Sequence, residues 1–275
     1  MKSLKNKVAV VTGAATGIGR ATALEFAKRG CDVALATRAN RDGLEESAAE
    51  IRALGRKASV HLVDVGDRAQ MQGFADEVVA EHGHVHVLVN NAGVTLMGEF
   101  EDQTFDNMDW IINTNLWGVI HGCKFFLPHI KKEQEGHIAN ISSMQGLLAL
   151  TKQTTYSATK FAVRGFTESL RGELAPHNIG CSVHFPGIVK TNVVSTCRTD
   201  GDRGSTLKQD LAPFMAKRAM DADVCASQIV DGISRNRPRV LITTETHIAD
   251  ALKRLMPNTV DRMVARMMNM RIPQF

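Results

Sequence analysis

Short runs rich in β-branched and other apolar residues alternate with helical patterns through the first half of the chain. These runs are Val8 to Thr12, Val33 to Thr37, Ser59 to Val63 and Val85 to Val89. The rhythm is typical of βαβ units, in which helices connect the strands of a parallel sheet. The runs lack alternation of polar and apolar residues, as expected for strands that helices cover on both faces.

The second half of the chain continues this pattern. Further strands are predicted near His137 to Ile141, Cys181 to Phe185 and Arg239 to Thr243, with helices near Thr155 to Ala175 and Ala222 to Asn236. We find neither an internal repeat nor a linker. The sequence therefore predicts one α/β domain over residues 1–275, built on a doubly wound parallel sheet of about seven strands with helices on both faces.

Composition and charge disfavour several classes of protein. Hydrophobic residues make up 44% and charged residues 23% of the chain, which are ordinary values for a soluble globular protein. The 33 basic and 29 acidic residues are interspersed and leave a net charge of +4. Such a balance disfavours nucleic-acid binding and suits a cleft that accepts a phosphorylated cofactor.

Membrane and metal sites are not expected. No apolar stretch approaches the length of a membrane span, and the run from Val8 to Val11 is too short for a signal peptide. The five cysteines include no Cys-x-x-Cys pair, so neither a disulfide framework nor a zinc site is indicated. We expect a protein of the reducing cytoplasm.

One segment departs from the strand and helix rhythm. Residues 188–222, called the 188–222 segment below, are rich in Thr, Ser, Asp and Gly and form either a binding loop over a pocket or a mobile surface excursion.

Residues 245–275 are predicted to form a C-terminal helical extension. Its apolar residues at helical spacing are Val260, Met263, Val264, Met267 and Met268. Packing on the body of the protein is expected for them, and a cover for an apolar substrate or a membrane-surface helix is the alternative.

A glycine-rich loop separates the first strand from the first helix. It reads Thr12-Gly13-Ala14-Ala15-Thr16-Gly17-Ile18-Gly19. Glycines let the backbone turn tightly and approach a pyrophosphate, whose charge is stabilised by the free amides and the dipole at the start of a helix. The loop therefore predicts a dinucleotide site, although glycines also occur in ordinary turns.

The end of the second strand discriminates between the two nicotinamide dinucleotides. A free ribose 2′-hydroxyl normally meets an acidic side chain there, whereas a 2′-phosphate needs a cation. This chain has Thr37-Arg38 at that place, with Asp32 before the strand and Asp42 beyond it. Arg38, helped by Arg41, can hydrogen-bond a phosphate, and we expect NADP(H) in preference to NAD(H). The alternative is that Arg38 is an ordinary surface arginine.

The only tyrosine of the chain, Tyr156, lies four residues before Lys160. Positions i and i+4 share one face of a helix, so the ammonium can lie beside the phenol. A neighbouring cation stabilises the phenolate and lowers the pKa of tyrosine toward working pH. The pair suits proton transfer to or from an alcohol oxygen, although the same spacing occurs in surface pairs.

Three further motifs accompany this pair. Ser143 lies thirteen residues before Tyr156, Asn90-Asn91-Ala92-Gly93 ends the fourth strand, and Asn113-Thr114-Asn115 follows in a helix. With the Thr-Gly-x-x-x-Gly-x-Gly spacing of the glycine-rich loop, they resemble the short-chain dehydrogenase/reductase family over nearly the whole chain. The chain departs from the family pattern at Thr16, where a basic residue is usual. The resemblance implies a Rossmann-type fold.

The resemblance also implies a catalytic tetrad of Asn115, Ser143, Tyr156 and Lys160. Ser143 would hydrogen-bond the reacting oxygen, and Tyr156 would give it a proton during reduction. Lys160 would hold the nicotinamide ribose and lower the pKa of the tyrosine, and Asn115 would anchor a water that leads protons to Lys160. Ser142 is the rival of Ser143, and either serine, like Asn115, could instead be structural; the family spacing selects Ser143.

By the same resemblance, a set of residues along the chain would bind the cofactor. Asp64 would contact the adenine and Thr191 the carboxamide, while the Pro186-Gly187 turn could equally be structural. The whole set is Gly13, Thr16, Gly17, Ile18, Gly19, Arg38, Asp64, Val65, Asn91, Ala92, Gly93, Tyr156, Lys160, Pro186, Gly187, Ile188 and Thr191.

The substrate pocket is expected between Ser143 and Tyr156 and under the 188–222 segment. An apolar ketone or secondary alcohol would suit the apolar residues there, most of which could also be core. They are Val94, Leu96, Met97, Met144, Leu147, Leu148, Ile188, Val193 and Val194. The family assembles through helices matching Phe105 to Ile130 and Thr155 to Ala175, which implies a homodimer or homotetramer.

Together these features predict an NADP(H)-dependent oxidoreductase that acts on a carbonyl or secondary alcohol. A dinucleotide-binding sensor without chemistry is the main alternative, and the intact tetrad argues against it. An epimerase or dehydratase could use the same Tyr156 and Lys160 pair, but such relatives usually carry a larger substrate domain than 275 residues allow.

Overall fold

The computed structural model of this chain describes residues 3–191 and 196–270, with the side chains of all these except 211–212, 214–217 and 267–270. Val193 and Val194, which are expected in the substrate pocket, lie outside the described residues. The same holds for the side chains of Met267 and Met268.

The described elements follow one another as strands and helices through the whole chain. The strands are β1 (Val8–Thr12), β2 (Asp32–Thr37), β3 (Ala58–Leu62), β4 (Val87–Asn90), β5 (Leu96–Met97), β6 (Gly136–Ile141), β7 (Ile179–Phe185), β8 (Arg198–Thr199) and β9 (Arg239–Leu241). The α-helices are α1 (Gly17–Lys28), α2 (Arg41–Ala53), α3 (Arg68–His82), α4 (Phe105–Ile112), α5 (Gly118–Lys132), α6 (Thr154–Leu174), α7 (Gly201–Arg218), α8 (Ala222–Ser234), α9 (Thr244–Leu255) and α10 (Val260–Met270).

Seven of the described strands form one parallel sheet in the order β3-β2-β1-β4-β6-β7-β9. Val10 of β1 lies opposite Ala34 of β2 on one side and Leu88 of β4 on the other. The predicted α/β class and its parallel sheet are confirmed. The strand order reverses between β1 and β4, and ligands of doubly wound sheets bind at the carboxyl ends of strands at such a point.

Helices cover both faces of this sheet. On one face α1, α2 and α8 pack against Ala9 and Val11, and on the other α3, α5 and α6 pack against Val10. Successive side chains of a strand point to opposite faces, so a strand covered on both faces is apolar throughout. All five residues of β1 are buried, which explains its lack of alternation.

The 188–222 segment contains a long helix, which its composition did not predict. α7 occupies Gly201–Arg218 and includes Gly204 and Pro213, residues of low intrinsic helix propensity. Packing supplies stability that local propensity does not, because Leu207 is buried against Met97 and Cys197. The segment is thus docked on the residues that follow β4.

A second, two-stranded sheet joins this segment to the same place. β5 and β8 pair in parallel, with Leu96 opposite Arg198 and Met97 opposite Thr199. Beside it, the carboxylate of Asp200 accepts hydrogen bonds from the main-chain N–H of Thr104 at 3.0 Å and from Nδ2 of Asn107 at 2.7 Å. These contacts attach the start of α7 to α4.

The C-terminal helices pack on the loop that follows β6. Ala249 of α9 and Val260 of α10 are buried against Leu148, with Val264 packed beside them. The expected packing of the apolar face of α10 is therefore found for Val260 and Val264, whereas Met263 is exposed. None of the helices among residues 3–191 and 196–270 is long and apolar enough to cross a membrane.

Candidate active site

A cavity of about 530 Å³ opens at the carboxyl ends of β1 and β4. Most of the residues that the sequence predicts for the cofactor and the reaction line it. These are Gly13, Thr16, Gly17, Ile18, Gly19, Arg38, Asp64, Val65, Asn91, Ala92, Gly93, Ser143, Tyr156, Lys160, Pro186, Gly187 and Thr191.

Ile188 and Asn115 do not line this cavity, although both are among the described residues. The main-chain N–H of Ile188 donates to Oε1 of Glu245 at 2.8 Å, so α9 holds the turn after β7 in place. The same turn accepts a hydrogen bond at the carbonyl of Pro186 from the N–H of Met144, at 2.9 Å. The main chain at Ile188 is therefore fixed by α9.

The glycine-rich loop depends on glycine at specific positions. Gly13 and Gly17 have φ values of +66° and +55°, in the left-handed region that side chains disfavour. A Cβ at Gly19 would lie 2.2 Å from the carbonyl oxygen of Gly13. The turn therefore closes only without side chains at these places, and the first turn of α1 faces the cavity.

Hydrogen bonds tie this loop to the turn after β4. Nδ2 of Asn91 donates to the carbonyl of Thr12 at 2.9 Å, and Oγ1 of Thr12 accepts from the main-chain N–H groups of Asn91 and Ala92, both at 3.0 Å. The two loops that border the reversal point of the sheet are thus held together by side chains of the two motifs.

The end of the cavity beside β2 carries Arg38. Its guanidinium is 57% exposed and lies 3.9 Å from the Asp64 carboxylate, measured from Nη1 to Oδ2. Asp32 pairs with Arg56 at 2.9 Å instead of facing the cavity. Arg41, expected to help Arg38, lies 3.8 Å from Glu45 and does not line the described cavity. Among the residues that line the described cavity, Arg38 is therefore the arginine available to bind a phosphate.

The two adjacent serines after β6 have different partners. Oγ of Ser142 donates to the main-chain carbonyl of Lys160 at 2.8 Å. Oγ of Ser143 accepts from the N–H of Gln145 at 3.2 Å, and Ser143 lines the cavity together with Tyr156, whose pKa it lowers by hydrogen bonding. Ser143 therefore stands beside the tyrosine, and Ser142 fixes the main chain of α6.

Tyr156 is half-buried near the start of α6. Burial raises the pKa of its phenol, because the phenolate loses solvation, while hydrogen bonds with Ser143 and Thr95 act in the opposite direction. Lys160, which is expected to lower this pKa, is not among the groups that shift it in this structure. Nζ of Lys160 lies 5.7 Å from the centre of the phenol ring and donates to the carbonyl of Ile141 at 3.2 Å.

Lys160 is itself buried. Burial lowers the pKa of its ammonium from the usual 10.5 to about 8, because the charged form loses solvation. A lysine of this kind exchanges its proton close to physiological pH. The arrangement can therefore hold a proton next to a phenol that keeps its own.

Asn115 lies in a π-helical stretch between α4 and α5, Asn113–Trp117. Its Oδ1 accepts from the N–H of Val94 at 2.8 Å, and its Nδ2 donates to the carbonyl of Val94 at 2.9 Å and to Oγ1 of Thr159 at 3.2 Å. Such bulges occur often at functional sites. The amide of Asn115 thus ties the turn after β4 to α6, three residues from Tyr156.

The expected apolar pocket differs from what the structure contains. Of the residues expected to line it, Val94 does so, while Leu96 and Met97 are buried and Leu147 and Leu148 belong to packed clusters. Short apolar runs beside a site cannot be told from core by periodicity alone. Thr95, which the sequence reasoning did not name, lies in the cavity wall instead. Its position two residues after the Asn-Asn-Ala-Gly turn was the available signal.

Comparison with known proteins gives a consistent result. The short chain dehydrogenase family model matches residues 7–202. A Mycobacterium tuberculosis protein named SadH and described as an oxidoreductase is 38% identical over 270 residues, which cover 96% of this chain and 96% of that protein.

Solved structures share the fold. A short chain dehydrogenase/reductase of Burkholderia phymatum, in complex with NAD, superposes with a TM-score of 0.88 at 27% identity, covering 94% of this chain and 96% of that one. A short chain dehydrogenase of Burkholderia cenocepacia, in complex with NADP, gives a TM-score of 0.77 at 27% identity, covering 89% of this chain and 99% of that one. With the sheet order and the cavity described above, these matches place the chain in the short-chain dehydrogenase/reductase family, as an oxidoreductase that binds a nicotinamide dinucleotide.

Proposed function

We propose that this chain transfers a hydride between NADP(H) and the carbon of a carbonyl or secondary alcohol, with Tyr156 as the general acid and base. The observation that carries the proposal is the meeting of Ser143, Tyr156 and Lys160 in one cavity with the glycine-rich loop. These groups supply a hydrogen-bond donor, a proton and a source of protons at the end of a dinucleotide site.

The residues present fit a dinucleotide. The close approach of Gly19 to the Gly13 carbonyl leaves no room for a side chain at Gly19, where a pyrophosphate would lie against the start of α1. Asp64 and Val65 would hold the adenine, and Lys160 the nicotinamide ribose. When bound, the nicotinamide supplies a hydride in reduction and accepts one in oxidation.

Arg38 supports NADP(H) over NAD(H). It lies in the cavity wall with its guanidinium exposed, at the place where an acidic residue would meet a free ribose hydroxyl. A guanidinium there pairs with the 2′-phosphate and leaves a 2′-hydroxyl without its usual acceptor. The two solved relatives bind NAD and NADP respectively, so the choice rests on the residues of this chain.

The proton chemistry follows from burial. In reduction, Tyr156 enters protonated because burial holds its pKa above the usual value, and it gives its proton to the substrate oxygen while Ser143 hydrogen-bonds that oxygen. Lys160, whose pKa burial lowers to about 8, then returns a proton toward the phenolate. In oxidation the same groups act in reverse. Asn115 would act by positioning the turn and α6.

Substrate and assembly are part of the same proposal. We infer one catalytic domain over 1–275, with the 188–222 segment beside the substrate and 245–275 as a C-terminal helical extension; Thr191 and Thr196 of the former line the cavity. Val94 in that wall supports a substrate with an apolar group.

Trp117 and Phe161 are 47% and 38% exposed on the helices expected to pair, which supports a homo-oligomer. Five free, buried thiols support a reducing compartment such as the cytoplasm.

The test is the initial rate of NADPH consumption, with NADH in parallel, across aliphatic, aromatic, steroid-like and diketone carbonyls. Turnover with NADPH that Tyr156→Phe abolishes is the expected result. Tight NADPH binding with no turnover across the panel would instead indicate the sensor, and faster turnover with NADH would overturn the cofactor assignment alone.

A further inference from the structure

A buried cluster of polar side chains lies between the turn after β6 and the start of α6. It consists of Gln145, Gln153 and Ser157, which are 8%, 4% and 4% exposed. None of these three is among the residues that line the described cavity. Any effect of the cluster on the reaction therefore passes through other residues.

The side-chain amide of Gln145 is hydrogen-bonded to α6 at both of its ends. Its Oε1 accepts from Oγ of Ser157 at 2.8 Å, and its Nε2 donates to Oε1 of Gln153. Gln153 lies three residues before Tyr156, and Ser157 lies one residue after it. The two bonds therefore attach Gln145 to the turn of α6 that carries the tyrosine.

The main chain of Gln145 contacts the serine of the reacting pair. Its N–H donates to Oγ of Ser143 at 3.2 Å, and the N–H of Gly146 donates to the carbonyl of Ser143 at 2.8 Å. Oγ of Ser143 thus accepts a bond from within its own turn and keeps its single proton to donate elsewhere. Gln145 therefore holds the serine through its main chain and the turn of Tyr156 through its side chain.

The same turn also contacts α6 further along the helix. Oγ of Ser142 donates to the carbonyl of Lys160 at 2.8 Å. A Cβ at Gly146 would lie 2.8 Å from that carbonyl oxygen, so the turn packs directly on the helix there. Gln145 supplies a second point of attachment, which is nearer to Tyr156.

We propose that Gln145 is a positioning residue: its amide fixes the hydroxyl of Ser143 relative to the phenol of Tyr156. The inference rests on the proposed roles of these two groups, which must reach one substrate oxygen together. A misplacement of about 1 Å can cost a reaction about 100-fold in rate. Hydrogen bonds at both ends of a buried amide favour one arrangement and so prevent such a misplacement.

Removal of the amide should lower turnover and leave cofactor binding unchanged. In Gln145→Leu we expect kcat to fall about 10- to 100-fold, because the two hydroxyls lose their fixed separation. Calorimetric binding of NADPH should not change, since Gln145 does not line the described cavity. Gln145→Glu should recover most of kcat, because a protonated carboxyl accepts from Ser157 and donates to Gln153 as the amide does.

Ser157→Ala tests the same attachment from the side of α6. It removes one of the two bonds, so we expect a smaller loss of kcat than in Gln145→Leu. Added to Gln145→Leu, it should cause no further loss, because its partner is already gone. If Gln145→Leu does not fold, as judged by circular dichroism, Ser157→Ala and Gln145→Glu decide the matter.

The position of the phenol can also be read without turnover. Because Tyr156 is the only tyrosine, labelling with 3-fluorotyrosine gives a single fluorine resonance. We expect one sharp line in the wild type and in Gln145→Glu. In Gln145→Leu and Ser157→Ala the line should broaden or split, since the ring samples more than one position.

Thr167→Val is the matched control on the same helix. Oγ1 of Thr167 accepts from Nδ2 of Asn140 at 3.0 Å, and both residues are buried. The substitution thus removes a buried hydrogen bond between α6 and the sheet, eleven residues after Tyr156. It should lower the free energy of unfolding and leave kcat and the fluorine line unchanged.

Three results would overturn the inference and leave the proposed function standing. They are wild-type kcat in folded Gln145→Leu or Ser157→Ala, a loss of NADPH binding that parallels the loss of kcat, and an equal loss of kcat in Thr167→Val. The opposite case is distinguishable. If the wild type turns over no carbonyl but the fluorine line changes in Gln145→Leu and not in Thr167→Val, the attachment stands and the proposed reaction does not.

Discussion

The hydroxyl of Ser142 donates to the main-chain carbonyl of Lys160 at 2.8 Å, while that of its neighbour Ser143 faces the tyrosine. Adjacent residues of extended chain point to opposite sides, and Ser143 has φ −165° and ψ 167°. The hydroxyl of Ser142 therefore fixes the main chain of α6, and that of Ser143 is left for its proposed role in the reaction.

Alanine at these two serines should separate stability from turnover. Ser143→Ala removes a donor to the reacting oxygen. We expect kcat to fall about 100-fold or more, with little change in the free energy of unfolding. Ser142→Ala should lower the free energy of unfolding by about 1 kcal/mol for one buried hydrogen bond, with a smaller loss of kcat. Steady-state kinetics and urea denaturation of both variants check this. A larger kinetic loss in Ser142→Ala would reverse the assignment.

Replacement of Arg38 by alanine should change the preference for NADPH over NADH, whereas replacement of Arg41 should not. In Arg38→Ala we expect kcat/KM for NADPH to fall about 10- to 100-fold, as for a lost charge-assisted hydrogen bond, while the value for NADH falls little. Arg41→Ala is the matched control, since Arg41 lies 3.8 Å from Glu45 and away from the cavity wall. Equal losses for both cofactors in Arg38→Ala would show that Arg38 does not contact the 2′-phosphate.

A methyl group at Gly19 should block the dinucleotide. In Gly19→Ala the new carbon would lie 2.2 Å from the Gly13 carbonyl, so the loop must open and calorimetric binding of NADPH should be lost. Gly73 of α3 has no heavy atom within 4 Å of its added Cβ. Gly73→Ala should therefore bind NADPH normally and gain about 0.5–1 kcal/mol of stability. Tight NADPH binding by Gly19→Ala would refute the proposed pyrophosphate site.

Two histidines are buried in the sheet away from the cavity wall. Nε2 of His137 and Nε2 of His184 lie 2.7 Å and 2.8 Å from Oγ of Ser182. Burial lowers the pKa of His184 to about 3 and that of His137 well below its usual value. Both are therefore neutral in the folded protein at pH values where an unfolded histidine is protonated.

Acid should destabilise the fold from about pH 6.5 downward, the ordinary pKa of histidine. Below this pH the unfolded chain binds protons that the folded chain does not, so each of the two histidines should remove up to about 1.4 kcal/mol of stability per pH unit. Above it their contribution is constant. Urea denaturation between pH 8 and pH 4.5 measures the slope. His184→Gln should flatten it, and His177→Gln, at an exposed position, should not.

The sequence was sufficient for the parts of the molecule that local rules determine. β1 has the predicted bounds, Val8–Thr12, and the other predicted strands of the sheet begin and end within two residues of their expected places. Strands covered on both faces are apolar throughout. The glycine-rich loop lies between β1 and α1, where the sequence predicts it. Motifs at the ends of strands meet because parallel strands end at one edge.

Tertiary contacts decide the rest. α7 contains Gly204 and Pro213, and its burial of Leu207 depends on Met97, which lies far away in sequence. Burial likewise decides the proton affinity of Tyr156, since an i+4 lysine says nothing about solvation. Leu147 and Leu148 have the composition of a pocket wall, and only packing shows that they are core.

The pairing of Leu96 and Met97 with Arg198 and Thr199 also bears on how such a protein can change its specificity. The loop that contains β5 and the loop that contains β8 are distant in sequence but hydrogen-bonded to each other in one register. An insertion in either loop would therefore displace the other. Recombination between relatives that exchanges one loop alone would separate the pair and misplace Thr95. The two loops should therefore be inherited, and engineered, as a single cassette.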